Sequence, residues 1–185
     1  MAPRDYEMEA AVAAVGGRVS EPIVRALVVG SPGSQDGSLK GAITSVFGRS
    51  RRTAGLHSRN VLVLTPSAIR IFSCRSRGWP PEVDGEVGTW PVGDVLVEAI
   101  ADEKWSAFNA SHSGSVTNRF YRIALMPRGG EPVELEVTRT DSARATIQAL
   151  EDATGSAPSK ITARRRKKEQ RDAADAAPEP DDSSG

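Results

Sequence analysis

The chain has little of what marks several large protein classes. It holds one cysteine in 185 residues, Cys74, which excludes an internal disulfide and any multi-cysteine metal site. Its two histidines, His57 and His112, lie in polar stretches, and neither belongs to a zinc-ligand spacing. Aromatic residues make up 5% of the chain, few for a surface that would stack successive bases on rings. No apolar run approaches the roughly 18 residues of a membrane-spanning helix. Net charge is missing too, since 24 Lys and Arg balance 24 Asp and Glu, and global charge therefore implies no polyanionic partner. The start, MAPRDYEMEAAVAAVGG, puts Asp5, Glu7 and Glu9 where a secretory leader carries positive charge, so a cytoplasmic protein is expected.

What is present suits one folded centre with polar ends. Apolar residues at 38% are slightly few for a wholly folded chain, and charged residues reach 26%. A centre of about 130 residues buries roughly two-thirds of its unfolded surface, enough for an independent core. Arginine outnumbers lysine by 19 to 5, as in chains from GC-rich bacterial genomes, which argues against reading a basic run as a nuclear address. The expected organisation is an N-terminal helical or flexible segment over 1–19, a domain over 20–155, and a charged, largely disordered tail over 156–185.

Periodicity gives the centre its class. Met8, Ala11, Val12 and Val15 have helical spacing, and Gly16-Gly17 stops that helix. A strand follows at 22–29, then a long Gly- and Ser-rich stretch over 30–60 with a brief ordered interlude at 39–47. From 61 the period is two: VLVL and AIRIFSC form a hairpin around Thr65-Pro66-Ser67, with Arg70, Phe72 and Cys74 on its outer side. Strands at 86–92 and 95–101 follow, and Pro91 sets the first at an edge or bulge. After a polar loop at 106–117, residues 117–126 alternate, with Tyr121, Ile123 and Leu125 inward. Residues 132–138 alternate most cleanly, with Val133, Leu135 and Val137 in and Glu134 and Glu136 out, the pattern of an antiparallel sheet with one wet face. The period then turns helical over 142–153, with Asp141 as N-cap and Gly155 as terminator.

Most candidate sites reduce to scaffold. Gly30, Gly33 and Gly37 lack the Gly-Lys-Ser/Thr that a phosphate loop needs. Asp94, Glu98, Asp102 and Glu103 fit the outward positions of a strand, and Cys74 a half-buried bystander. Trp79, Trp90 and Trp105 lie in or beside loops, where packing and interface anchoring are both open to them. Two basic clusters remain. Lys40, Arg49, Arg51, Arg52 and Arg59 against Asp36 give residues 30–60 a net +4, while 61–155 carries 9 basic and 13 acidic residues, or −4. The second cluster is the run Arg164-Arg165-Arg166-Lys167-Lys168 in the tail.

Val61-Leu62-Val63-Leu64-Thr65 followed by Ile69-Arg70-Ile71-Phe72, the link Trp90-Pro91-Val92-Gly93-Asp94-Val95, and Val133-Leu135-Val137 before a helix from Asp141 to Thr154 form a recognisable series. Over about 20–155 it resembles the bacterial pleckstrin-homology-like domains. The resemblance implies a mainly β fold, a bent seven-stranded antiparallel barrel or sandwich capped by a C-terminal α-helix, here with a flexible basic tail. It also implies an adaptor without catalytic residues or cofactor. Eukaryotic lipid-binding members carry a Lys and a basic-x-Arg between their first two strands, which Lys40 and Arg49-Ser50-Arg51 match loosely. Where such relatives often have a helix Trp, this chain has Ile147 and Leu150.

The function expected is a non-catalytic binding or adaptor module without metal. Its partner would be a protein or an anionic membrane surface, met peripherally through the basic loop and tail. The alternative is a nucleic-acid-associated small barrel that uses the basic tail, with Phe120 between Arg119 and Arg122 and Phe72 near Arg70 as stacking rings.

Overall fold

The computed structural model describes residues 5–32, 56–75, 79–106 and 116–175. Helix α1 (Tyr6–Val15) opens the chain, with the Asp5 carboxylate accepting from Met8 N–H at 3.1 Å. Seven strands follow: β1 (Arg25–Val29), β2 (Asn60–Leu64), β3 (Ala68–Cys74), β4 (Val83–Pro91), β5 (Val95–Ser106), β6 (Val116–Pro127) and β7 (Val133–Thr138). A 3-10 turn, Val92–Asp94, joins β4 to β5. Helices α2 (Asp141–Thr154) and α3 (Lys160–Asp175) complete the fold. Among the described residues no helix is long and apolar enough to cross a membrane.

The strands form two antiparallel sheets, ordered β1-β2-β3-β4 and β5-β6-β7. They meet at one corner, where Gly30 and Glu136 exchange two backbone hydrogen bonds of 2.7 and 2.8 Å. No ladder joins β4 to β5 among the described residues, so the expected barrel is not closed on that side. Pro91 ends β4 at the sheet edge, as its missing N–H requires. Next to it, Trp90 lies back across the strand, and a Cβ at Gly88 would run into its ring.

The inward residues of both sheets build the main core. Leu27, Leu62, Ile69, Ile71, Ile123, Leu125 and Leu135 are at most 1% exposed, and Ala143, Ile147 and Leu150 of α2 close it. The cap of α2 differs by one residue from the expectation: Thr140 accepts from Ala143 N–H at 3.0 Å, and Asp141 sits in the first turn. Gly155 ends the helix as expected, in the left-handed region at φ 66°.

Two expectations are corrected. The outer face of the first sheet is dry, because α1 packs Ala11 and Val15 over Val61, Val63, Phe72 and Cys74, so Cys74 is 3% exposed rather than half-buried. Glu136 is fully buried although its strand alternates as read, since the chain crosses β7 at Gly30 and Arg122 lies beside its carboxylate at 3.8 Å. Past 155 the described chain continues into α3. In α3, Thr162 and Arg166 turn toward α2 and meet the buried Glu151. β5 and β6 likewise run on to Ser106 and Val116, shortening the polar connection.

Candidate functional site

A cavity of about 1220 Å³ opens between β5, the start of α2 and the start of α3. Its floor is Tyr121, whose side chain points inward from β6 and is 4% exposed. Arg139 leaves β7 and donates through Nε to the Phe120 carbonyl at 3.2 Å, which holds its guanidinium 5.6 Å from the Tyr121 ring centroid. Arg144, one turn into α2, donates to the Tyr121 hydroxyl at 3.2 Å and pairs with Asp141 at 3.0 Å. The Tyr121 hydroxyl, and then Asp141, push the Arg144 pKa further up, so its charge is permanent at any ordinary pH.

The second wall comes from α3. Ile161 packs against the core, and Lys160, Ala163 and Arg165 face the cavity around it. Four cations, Arg139, Arg144, Lys160 and Arg165, thus line the cavity from the β7–α2 link and two helices, and among the described residues Asp141 is the one carboxylate that lines it with them. Lys160 stands at the first position of α3, where a cation opposes the helix dipole.

Helical geometry divides the basic run that the sequence presents as a block. Arg165 enters the cavity wall. Arg166 turns the other way and bonds Glu151 at 3.2 Å and Asp152 at 2.6 Å. Burial works against its charge, yet these two carboxylates raise its pKa on balance. Lys167 is exposed, and the side chains of Arg164 and Lys168 lie outside the described residues.

Of the loop cluster, Lys40, Arg49, Arg51 and Arg52 lie outside the described residues, as do the 39–47 interlude and His112. Arg59 is half-buried just before β2, with its guanidinium 5.4 Å from the ring centroid of Trp79. It does not line the cavity; among the described expected site residues Arg165 alone does so. His57 bonds the Cys74 carbonyl at 3.0 Å, a tie from the segment before β2 to the end of β3. Among the described residues no group of three His, Cys, Asp or Glu could hold a metal.

Sequence reasoning missed Arg139, Arg144 and Lys160, because they are scattered along the chain and no run marks them. The available signal was their position at helix starts, where acidic residues are the stabilising choice.

The β5 edge completes the site. Among the described residues β5 pairs with β6 alone, in unbroken register from Val95↔Pro127 to Ser106↔Val116. Val97 N–H points away from β6 and donates to Ser156 Oγ at 2.8 Å. Backbone groups of an antiparallel strand alternate in direction, so those of Ala99 and Ala101 also face the open side. Both residues line the cavity, and no hydrogen bond reaches them from that side among the described residues.

No family model, curated protein or solved structure matches the chain.

Proposed function

We propose that the chain is a non-catalytic binding module of pleckstrin-homology-like design that takes an anionic segment of a protein partner in the cavity beside β5. The observation that carries this reading is that Arg139, Arg144, Lys160 and Arg165 line one cavity, with Asp141 the single carboxylate among its described lining residues. Supporting the fold comparison are four strands, then three, then a helix capping the core.

The site favours a protein segment over the other anions considered. A membrane presents a broad face, whereas these cations line a cavity between β5 and two helices. Nucleic acid would need exposed rings, yet Phe72 is 1% and Phe120 2% exposed, which removes both expected stacking platforms.

The test is binding of a fluorescent oligoglutamate peptide, beside phosphatidylserine vesicles and a mixed oligonucleotide. Lys160→Glu with Arg165→Glu should weaken peptide binding about tenfold or more at low salt, with the gap shrinking as salt screens the charges. Unchanged peptide binding by the double variant, or preference for vesicles or oligonucleotide, defeats the reading.

A further inference from the structure

We infer a second interaction surface, on the outer face of the β5-β6-β7 sheet, which takes a basic amphipathic helix of a protein partner. It goes beyond the cavity reading above and does not rest on it.

The register defines this face. Leu96 stands opposite Met126, Ala124 lies between Glu98 and Glu134, and Ile100 stands opposite Arg122. Residues directly opposite one another in a sheet share a face. The residues that alternate with them, Val97, Ile123, Leu125 and Leu135, point into the core, so this set points out. Leu96 is 58% and Ile100 56% exposed. Single exposed apolar side chains are ordinary, but these two share one face with the half-buried Ala124 and Met126 and make a patch.

The patch has a shape. Ala124 is the smallest residue of the set and occupies the central strand, so its position is low between taller neighbours. Leu96, Glu98 and Ile100 stand on one side of it and Glu134 on the other. From Leu96 to Ile100 is four residues of strand, about 13 Å, which about two and a half turns of helix would cover. β5 and β7 lie about 10 Å apart across β6, close to the width of one helix.

Charge and backbone chemistry choose the occupant. Glu98 and Glu134 are exposed, and neither carboxylate has an ion pair or hydrogen bond among the described residues. The other charges of this face, Arg122 and the buried Glu136, lie beside each other at 3.8 Å. A helix that rests an apolar stripe on Ala124 and Met126 brings Lys or Arg on its two flanks to Glu98 and Glu134. An extended segment fits poorly, because its backbone would meet side chains here, whereas a helix satisfies its own N–H and C=O groups. A second copy would set these glutamates against their own kind, and a lipid or nucleic-acid anion would meet the same repulsion.

The probe is a fluorescein-labelled helical peptide of Leu, Ala and Lys, with leucines at i, i+4, i+7 and i+11 and lysines on both flanks of that stripe. It is titrated by anisotropy against the full chain, beside a peptide of the same composition scrambled to abolish the stripe. The striped peptide should bind about tenfold more tightly than the scrambled one. Glu98→Lys with Glu134→Lys should weaken it about tenfold, and Leu96→Ser about threefold or more, both at an unchanged melting temperature. Glu9→Lys with Glu82→Lys makes the same charge change on α1 and before β4, and should alter binding less than about twofold. Equal binding of the two peptides, or equal losses from the two charge-reversal pairs, overturns the proposal. A wild-type dimer in sedimentation that Leu96→Ser dissociates would give this face to a second copy, and overturns it as well.

Discussion

Glu151 is the most informative residue to remove, because it decides whether α3 belongs to the domain. Its carboxylate is 1% exposed and accepts from three donors: Ser159 N–H at 2.9 Å, Thr162 Oγ1 at 2.6 Å and Arg166 Nη2 at 3.2 Å. Bonds to a charged group contribute about 1.5–3 kcal/mol each, so with α3 held in place Glu151→Ala would cost about 5 kcal/mol or more. The chain has an alternative of lower cost. If α3 lifts away, Ser159, Thr162 and Arg166 all find water, and what is lost is the docking of that helix. The apolar part of that docking is the half-buried Ile161, about 1 kcal/mol.

Glu151→Ala should therefore lower global stability by only ~1–3 kcal/mol, while α3 opens locally at a much smaller cost than the domain unfolds. Trypsin reads this directly, since Arg164 to Lys168 offer five consecutive sites within α3. The variant should be cut there many times faster than wild type. Glu151→Gln keeps the shape and one acceptor, and should fall between the two. A cleavage rate and a guanidinium midpoint both equal to wild type would refute the clamp. The consequence extends to binding, because Lys160 and Arg165 are carried on α3 and should leave the cavity with it.

The fold was legible where one element sufficed to explain a pattern. Leu135 alternates with Glu134 in β7 as read, and Gly155 ends α2 at the expected residue. It was not legible where a second element covers a face. Period two separates Phe72 and Cys74 from Ile69 and Ile71, but it cannot say that α1 lies over the former. The same limit hid Glu136, whose outward direction is correct and whose burial follows from the crossing at Gly30. Polar residues disguised the ends of β5 and β6, since Asp102 to Lys104 continue the ladder beyond the main core. The site was harder still. A run of five cations drew the eye to 164–168, although α3 sends Arg166 to a structural clamp and brings Arg165 together with Arg139 and Arg144 from elsewhere in the chain. Charge in a sequence is one-dimensional; the cavity collects it through the folded path of three elements.

Two further predictions separate burial from alternation. Leu135→Ala should cost ~2–5 kcal/mol, since Leu135 is fully buried between the sheets. The two glutamates beside it should behave differently, with Glu134→Ala staying within about 0.5 kcal/mol of wild type and Glu136→Ala clearly destabilised; equal small shifts in denaturation midpoint would mean that Glu136 is solvated. The last prediction concerns the Cys74 thiol, which α1 covers and whose pKa burial pushes up from 9.0, with Arg59 opposing weakly. In the unfolded chain the thiol ionises near 9.0. Above that pH the unfolded state has released a proton that the folded state still holds, so this group's contribution to stability is whole below 9.0 and is lost as pH rises through the folded pKa. The thiolate is the reactive form, so a disulfide reagent at pH 8 should modify native Cys74 far more slowly than the denatured chain. Cys74→Ser should flatten the alkaline fall in stability relative to wild type. Rapid labelling of the native protein would instead place Cys74 at the surface and remove α1 from the outer face of the first sheet.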